Sequence, residues 1–266
     1  MNYEVKAVET LRIVARNKPL VHHITNIVVA NDTANLTLGL GALPVMADAV
    51  EEVEEMTASA KALILNIGTL SGESIEAMMR AGRSAAAHNV PIVLDPVGAG
   101  ATKLRTETAL RILEELPVTV VRGNRGEIGA LVGSGQVRGV EAVGDEDPRD
   151  VARRFFERFG VVTAVTGVFD VIVGKNKVFE VHNGHPLLAR ITGSGCMATT
   201  AVGVFLTTGE DPALQTALAL GSYGVAAERA AKHEPGPGTF RSKLLDEAAA
   251  LLTKGVDGID IREVED

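Results

Sequence analysis

The sequence has few of the residues that form disulfide bonds in small secreted domains, and few of the aromatic residues that stack on nucleic-acid bases. Of its 266 residues, one is cysteine, two are tyrosine and none is tryptophan. A single cysteine excludes an intramolecular disulfide framework and any multi-cysteine metal site. The scarcity of aromatic rings and the lack of a dense Lys/Arg stripe argue against a nucleic-acid surface, which needs basic density and stacking side chains.

Long uncharged apolar runs are also missing, and none approaches the length that spans a bilayer. Residues 1–6 are polar and helix-like, unlike a secretory signal. The net charge of −8 reflects 34 acidic against 26 basic residues, and a hydrophobic content of 46% suits a compact globular protein. We therefore expect a soluble cytoplasmic protein without membrane or nucleic-acid partners.

Helical and strand-like patterns alternate along the chain. Apolar runs bounded by Gly, Pro or polar residues predict buried strands, and the last two of these runs predict an antiparallel hairpin near the sheet edge. The predicted strands are 20–25, 62–67, 91–95, 118–121, 161–166, 170–173 and 177–181. Helices are predicted at 3–17, 27–40 and 71–88, with Ser71 as the N-cap of the last. After Cys196 the pattern predicts helices only, at 197–207, 212–232 and 239–253.

Strands separated by helices indicate an α/β fold, with a mostly parallel central sheet covered by helices on both faces. No linker or repeat interrupts the chain, and the charged stretch 139–149 is expected to be a loop. We predict a single domain over residues 1–266 with no separate lid. Ligands bind outside the carboxyl ends of such strands. The candidate site therefore comprises the segments that follow the apolar runs: Asn26, 66–68, 95–100, 122–127 and 166–167.

The segment 190–197, which reads RITGSGCM, leads directly into an apolar stretch. Small residues here predict a loop that turns into a helix, so the backbone N–H groups of Gly193, Ser194, Gly195 and Cys196 converge at a helix N-terminus. These groups have no partner within the helix, and the helix dipole adds positive charge, which suits an anion such as a transferring phosphoryl group. The alternative is a tight loop that merely begins a buried helix.

Two carboxylates, Asp95 and Glu127, each follow a predicted buried strand and are expected in the same crevice. Mg²⁺ prefers one or two carboxylates together with phosphate oxygens and water. The alternatives are a simple turn at Asp95 and a dipole-stabilising charge at Glu127. Arg122 offers a planar fork for phosphate oxygens or is a surface charge, and Thr166 contacts a nucleotide or merely ends a strand.

In combination these segments resemble the ribokinase-like small-molecule kinases and, within them, the hydroxyethylthiazole kinase family. The matching motifs, in order, are the Asp95–Gly100 segment DPVGAG, the pair Asn124 and Glu127, and the segment 193–197, GSGCM. The stretches 22–26, HHITN, and 42–46, ALPVM, are similar to the thiazole kinases' own N-terminal signature. The resemblance covers nearly the whole chain.

The resemblance implies ATP- and Mg²⁺-dependent phosphorylation of the hydroxyl of 4-methyl-5-(2-hydroxyethyl)thiazole, a step of thiamine salvage. It implies contacts to ATP from Arg122, Thr166 and Asn124, and Mg²⁺ organised by Asp95 and Glu127. It also implies a thiazole pocket lined by Asn26, Met46, Gly68 and Gly193. Family members are trimers that share each pocket between neighbouring subunits, which makes the 27–40 helix and the Met46 loop candidate interface material here.

Cys196 departs from the broader superfamily, in which an aspartate at this place acts as base toward the substrate hydroxyl. The thiazole kinases resemble this chain in carrying cysteine. A thiol at a helix N-terminus is expected to ionise more readily than a free one. Phosphoryl transfer depends mainly on positioning and charge stabilisation. We therefore expect the thiol of Cys196 to orient the hydroxyl and to assist its deprotonation only weakly; the alternative is a small buried residue.

The histidines give weaker evidence about function than the segments above. His22 and His23 point to opposite faces of a strand, so one is expected near the site and the other in a structural role. Three alternative functions stay open: a related kinase of hydroxymethylpyrimidine or pyridoxal, a cysteine-nucleophile hydrolase using Cys196, and a non-catalytic thiazole- or nucleotide-binding protein. The hydrolase requires a histidine partner for Cys196 and does not explain Asp95, Glu127 or Arg122.

Overall fold

The computed structural model describes residues 1–133, 136–138, 141–143 and 146–264. Its strands, in chain order, are β1 (Leu20–Ile24), β2 (Leu43–Val45), β3 (Ala62–Asn66), β4 (Ile92–Asp95), β5 (Val120–Asn124), β6 (Gln136–Arg138), β7 (Glu141–Val143), β8 (Val162–Thr166), β9 (Asp170–Val173), β10 (Val178–Val181) and β11 (Ile261–Val264). Its helices are α1 (Tyr3–Asn17), α2 (Ala30–Gly39), α3 (Val53–Ser59), α4 (Gly72–His88), α5 (Lys103–Glu115), α6 (Arg125–Leu131), α7 (Pro148–Phe159), α8 (Ser194–Leu206), α9 (Pro212–Ala230) and α10 (Pro237–Lys254).

One sheet of nine strands organises the described chain, in the order β11-β10-β9-β8-β5-β4-β3-β1-β2. The strands from β2 to β8 in this order run parallel, and β9, β10 and β11 are added antiparallel at one edge. The predicted α/β fold with a mostly parallel sheet is therefore confirmed. The carboxyl ends of the parallel strands lie at one edge of the sheet, where a ligand crevice is expected.

The central strands β3 and β4 are buried on both faces because they are continuously apolar up to their last residue. In β4, Val93 faces the layer that contains α1, α2, α8, α9 and α10, whereas Ile92 and Leu94 face the layer of α3 to α7. This alternation follows the two-residue period of a strand. Burial from both sides accounts for the lack of a polar face in β3 and β4, which the continuous apolar runs predicted.

Several element predictions were wrong, each for a local reason. The prediction of helices only after Cys196 misses β11, a short strand that pairs with β10 at the edge of the sheet. The three-residue β2 also escaped detection, because it is too short to show a period. Helix α2 begins at Ala30 rather than at residue 27, which leaves Ile27 and Val28 exposed in the turn before it.

The predicted hairpin and the predicted N-cap of α4 are both observed. Strands β9 and β10 pair antiparallel around Gly174, and the Ser71 side chain accepts a hydrogen bond from the Ser74 backbone in a capping box. The predicted loop at 139–149 lies partly outside the described residues, and Glu141–Val143 within it forms β7, which pairs with β6 in a separate two-stranded ribbon. The lack of a separate lid and the single-domain boundary remain predictions.

No helix in the described parts of the chain has both the length and the apolar character needed to cross a bilayer.

The two adjacent histidines of β1 are both buried within the protein. His22 Nε2 lies 2.6 Å from the Ala47 carbonyl oxygen, so it donates to that carbonyl, and its Nδ1 lies 2.8 Å from the Thr57 hydroxyl. His23 Nε2 contacts the Thr37 hydroxyl at 3.2 Å, and its Nδ1 has no hydrogen-bond partner in the part of the chain that the structure describes. Burial, and then the neighbouring His22, lower the pKa of His23 to about 3. Both rings therefore serve the fold as neutral groups.

Acid should destabilise the protein through His23. Its pKa is about 3 when folded and about 6.5 when unfolded, so the unfolded state binds the extra proton between these values and stability falls as pH drops below about 6.5. The expected loss is up to about 1.4 kcal/mol per pH unit. Urea unfolding at pH 7 and pH 4.5 should show a smaller loss in His23→Gln than in the wild type. The exposed His88→Gln is the control, and an equal loss in all three proteins would contradict the assignment.

Candidate active site

The predicted site segments converge at the carboxyl ends of β3, β4, β5 and β8, where α8 begins. Residues Asn66 and Asp95 stand at paired positions at the ends of β3 and β4, and Asn124 and Thr166 at paired positions at the ends of β5 and β8. Helix α8 packs against β3 and β4, so its N-terminus reaches the same edge. The topology thus collects side chains that are up to 170 residues apart in sequence, as Asn26 and Cys196 are.

The N-terminus of α8 has the form expected of an anion-binding loop. Gly193, the residue before the helix, adopts φ 85°, and no side chain caps the helix. The Met197 N–H is the first to bond back, at 2.9 Å to the Gly193 carbonyl oxygen. The N–H groups of Ser194, Gly195 and Cys196 therefore begin the helix ahead of that bond, where an anion is stabilised.

Arg122 lies directly against this loop. Its Nη2 donates to the Thr166 hydroxyl at 2.5 Å, and a Cβ placed on Gly195 would stand only 2.7 Å from its Nη1. Glycine at position 195 is thus required for the guanidinium to approach the loop. Nε of Arg122 is buried and has no hydrogen-bond partner among the described residues. A guanidinium beside the first N–H groups of a helix is an arrangement that phosphate oxygens complete.

Asp95 lies at the centre of a buried hydrogen-bond network. Its Oδ2 accepts from Asn66 Nδ2 at 2.9 Å and from the Thr199 hydroxyl at 2.8 Å. Asn66 Nδ2 also lies 3.2 Å from the sulfur of Cys196. Burial raises the pKa of Asp95, and Arg122, Thr199 and Asn66 act in the opposite direction. These neighbours favour the charged form of the carboxyl.

Asn26 and Gly68 extend the same network through Asn66. Asn26 Nδ2 donates to Asn66 Oδ1 at 2.8 Å and lies 3.6 Å from the sulfur of Cys196. Gly68 N–H donates to Asn66 Oδ1 at 3.0 Å, and a Cβ on Gly68 would stand 2.7 Å from Asn26 Nδ2. Glycine at position 68 is therefore needed for Asn26 to lie where it does.

Glu127 lies in the first turn of α6 beside Asp95. Its two carboxylate oxygens accept from the backbone N–H groups of Gly98, at 2.8 Å, and Asn124, at 2.9 Å. The Asn124 side chain accepts in return from the Glu127 N–H, which forms a capping box. Burial, and then the charge of Asp95, raise the pKa of Glu127 to about 7. Two buried carboxyls that disfavour each other's charge are stabilised by a cation between them.

The carboxylates of Asp95 and Glu127 fit Mg²⁺ better than a metal ion whose ligands all come from the protein. Among the described residues no group of three or more His, Cys, Asp or Glu side chains is placed to hold a metal ion. Asp95 and Glu127 are two buried carboxyls, and Mg²⁺ commonly takes one or two carboxylates from a protein when phosphate oxygens and water complete its shell.

The thiol of Cys196 behaves differently from the expectation drawn from its position. Burial, and then the neighbouring Asp95, raise the pKa of this thiol to about 12. The expectation of easier ionisation at the helix N-terminus was wrong, because desolvation and a nearby carboxyl outweigh the helix dipole. The hydrogen-bond partners of Cys196 include Asn26, Asn66 and Asp95, and no hydrogen bond joins it to a histidine within the described chain. A hydrolase with a thiolate nucleophile is not favoured.

Met46 follows β2 directly and is half-buried. Because β2 runs parallel to β1, with Val45 opposite His22, Met46 lies at the same sheet edge as Asn26. The bond from His22 to the Ala47 carbonyl ties the Met46 segment to β1.

Four residues of the site region had no assigned role in the predictions, and of these only Asn66 lay in a predicted segment, 66–68. Asn66 and Thr199 hold Asp95, and the Tyr223 hydroxyl donates to the Ser194 carbonyl at 3.0 Å. Buried Asp32 accepts three hydrogen bonds from the Arg241 guanidinium beside Gly193. Asn66 was recognisable from its place at the end of a buried strand, although only its neighbour Gly68 was assigned a role. Thr199, Tyr223 and Asp32 lie inside helices, where the sequence offers no such signal.

Comparison with solved structures identifies the type of fold. A solved ribokinase-like superfamily protein from Enterococcus faecalis superposes with a TM-score of 0.64 at 12% identity, over 88% of each chain. At that identity the likeness concerns the fold alone, and it makes this fold ribokinase-like.

Sequence comparison defines the family. The model of the hydroxyethylthiazole kinase family matches residues 11–254. A hydroxyethylthiazole kinase from Thermoanaerobacter pseudethanolicus is 50% identical over 253 residues, which are 94% of this chain and 96% of that protein. A solved hydroxyethylthiazole kinase from Pyrococcus horikoshii OT3 superposes with a TM-score of 0.89 at 42% identity, covering 98% and 99% of the two chains. The chain belongs to the hydroxyethylthiazole kinase family.

Proposed function

We propose that this protein transfers the γ-phosphoryl group of ATP to the hydroxyl of 4-methyl-5-(2-hydroxyethyl)thiazole, with Mg²⁺, as a step of thiamine salvage. Family membership supports the reaction. The observation that carries it is the meeting of the uncapped α8 N-terminus, the Arg122 guanidinium and the buried Asp95 at one sheet edge. Positioning and positive charge are what phosphoryl transfer demands of a protein.

The nucleotide side of the site comprises Arg122, Thr166 and Asn124. The close approach of the Arg122 Nη1 to Gly195, beside the first N–H groups of α8, supports a contact to phosphate oxygens. Thr166 holds the guanidinium in place through its hydroxyl. Asn124 keeps Glu127 in the first turn of α6, and its own contact to ATP is a proposal from its place at the end of β5.

Asp95 and Glu127 would hold Mg²⁺, which supplies charge neutralisation between the phosphates of the donor. The chain's own contribution is to keep these carboxyls buried, adjacent and hydrogen-bonded. Gly193, Ser194 and Gly195 offer their N–H groups to the charge that develops on the transferring phosphoryl group.

Asn26, Met46, Gly68 and Gly193 form the proposed thiazole pocket. Asn26 is 4% exposed, whereas the next residue, Ile27, is 85% exposed. Val28, Leu38 and Leu43 are also exposed apolar side chains in this part of the chain. Exposed apolar side chains in the same part of the chain as the proposed pocket support a homotrimer in which neighbouring subunits share each pocket, and a measured molecular mass in solution tests it. A cytoplasmic location is likewise a proposal.

The protonated thiol of Cys196 would orient the substrate hydroxyl rather than remove its proton. With its pKa at about 12, the thiol stays neutral at physiological pH. Cys196→Ala should therefore keep measurable turnover, with a loss in kcat of about tenfold, because Asn26, Asn66 and Asp95 remain. Steady-state kinetics of Cys196→Ala and of the hydrogen-bonding control Cys196→Ser measure this. Complete loss in the alanine variant, with ATP and thiazole binding intact, would instead make the thiol essential.

A coupled ADP-release assay tests the proposed function. The purified protein is supplied with ATP, Mg²⁺ and, in separate reactions, hydroxyethylthiazole, hydroxymethylpyrimidine or pyridoxal. Turnover on the thiazole alone is expected. Turnover on another alcohol would keep phosphoryl transfer but change the substrate, and silence on all three would favour the non-catalytic binding protein.

A further inference from the structure

Two buried side chains outside the proposed substrate and metal sets hold the same oxygen of Asp95. Asn66, on β3, and Thr199, on α8, are 2% and 0% exposed. Asn66 Nδ2 lies 2.9 Å and the Thr199 hydroxyl 2.8 Å from Oδ2 of Asp95. Oδ1 takes no part in either bond. The carboxyl is therefore fixed by donors from a strand and from a helix, which approach one of its two oxygens.

The orientation of the Asn66 amide follows from its neighbours. The Gly68 N–H, which can only donate, points at Asn66 Oδ1 at a distance of 3.0 Å. The opposite end of the amide, facing Asp95 and Cys196, must then be the NH₂ group. Its two hydrogens match its two acceptors, Asp95 Oδ2 and Cys196 Sγ.

Asn26 extends this chain of donors to a second backbone group. The Val28 N–H donates to Asn26 Oδ1 at 3.1 Å, which leaves Asn26 Nδ2 to donate to Asn66 Oδ1 at 2.8 Å. Every amide in the series therefore has its direction set by a backbone N–H group, and the series ends on the Asp95 carboxyl. Such a network has one arrangement that satisfies all its members.

Thr199 connects the same carboxyl to the anion loop, which comprises residues 193–196 at the N-terminus of α8. It lies one turn after Cys196 on α8, and its hydroxyl is closer to Asp95 Oδ2 than to the Gly195 carbonyl, 3.4 Å away. Because of this bond, a displacement of α8 would displace the Asp95 carboxyl with it. The distance between the carboxyl and the anion loop is thereby held constant.

We propose that Asn66 and Thr199 are positioning residues of the reaction: together they orient Asp95 relative to the N-terminus of α8, and they touch neither nucleotide nor thiazole. This inference rests on the proposed function, because it assigns a role within that site. Residues that orient the groups next to a metal or a reacting atom typically contribute about 10- to 100-fold to activity.

Thr199→Val removes the hydroxyl with almost no change of shape. We expect kcat to fall about 10- to 100-fold while KM for ATP and for the thiazole changes less than about threefold, and we expect Thr199→Ser to restore kcat. The matched control is Thr200→Val, a fully buried neighbour on the same helix whose hydroxyl donates, within the described residues, to the Cys196 carbonyl alone, at 3.0 Å. Its kcat should stay close to that of the wild type. Asn66→Asp replaces the NH₂ donor by a carboxylate oxygen, so two acceptors would face each other at Asp95 Oδ2. This variant should lower kcat further than Thr199→Val.

Urea unfolding of the ligand-free protein supplies a readout that does not depend on activity. The shift of the midpoint caused by Thr199→Val should shrink by more than about half when Asp95→Ala is already present, because the bond between these residues is then gone. The shift caused by Thr200→Val should be the same in both backgrounds.

Three results would overturn the positioning role: an unchanged kcat in Thr199→Val, an equal loss in Thr200→Val, or fully additive urea shifts for Thr199→Val and Asp95→Ala. If the wild-type protein phosphorylates none of the three alcohols, the proposed function fails. The urea cycle still decides whether Thr199 holds Asp95, so the two failures are distinguishable.

Discussion

Replacing Asp95 by asparagine should abolish most turnover while leaving the protein folded. The asparagine side chain has the same shape, and its oxygen still accepts from Asn66 and Thr199, so the network persists. What disappears is the negative charge that, in the proposed mechanism, the crevice offers to Mg²⁺. We expect kcat to fall by about a thousandfold or more, as for the loss of a group that stabilises transition-state charge. The coupled ADP-release assay measures this.

The stability of Asp95→Asn separates its catalytic role from a structural one. Burial raises the pKa of Asp95, so its ionised form opposes folding at neutral pH, and this cost grows as pH rises through the folded pKa. The variant should therefore resist urea at pH 8 at least as well as the wild type. Asp246→Asn, on the exposed side of α10, is the control for the same chemical change. Turnover of Asp95→Asn within about tenfold of the wild type would remove Asp95 from the reacting site.

A methyl group at Gly193 should disable the anion loop. Gly193 has φ 85°, which costs a non-glycine residue on the order of 1–2 kcal/mol, and its new Cβ would stand 2.7 Å from Cγ1 of Val29. Both effects push the loop away from the position in which its N–H groups converge. We expect kcat/KM of Gly193→Ala to fall about a hundredfold, a magnitude typical of losing one such donor, and the melting temperature to fall by a few degrees.

The chain offers a matched control and a suppressor for this variant. Gly209, at the other end of α8, has φ 74° and no atom within 4 Å of a built Cβ, so Gly209→Ala isolates the backbone strain. It should lower the melting temperature with little effect on kcat/KM. Adding Val29→Ala to Gly193→Ala relieves the crowding and should recover part of the activity. An unaltered kcat/KM in Gly193→Ala would mean that the loop does not bind the reacting anion.

The sequence predicted the fold where its signals are local and repeated. The buried strands β3 and β4 stand out as continuous apolar runs, and the cap at Ser71 follows from the residue type alone. Prediction failed for β2 and β11 because short edge strands show no period and form only when a neighbouring strand supplies the hydrogen bonds.

Within the site, the sequence indicated the residues that directly follow strands or open a helix, because topology alone brings these places together. It therefore determined the fold class, the candidate carboxylates Asp95 and Glu127, and the glycine loop before α8. Only the tertiary structure decided the environment of each group. Desolvation and the proximity of Asp95 make Cys196 a protonated thiol, and contacts across α8 and β3 recruit Thr199 and Asn66 to Asp95. Burial and distance arise from packing between distant segments, and no local pattern in the sequence encodes them.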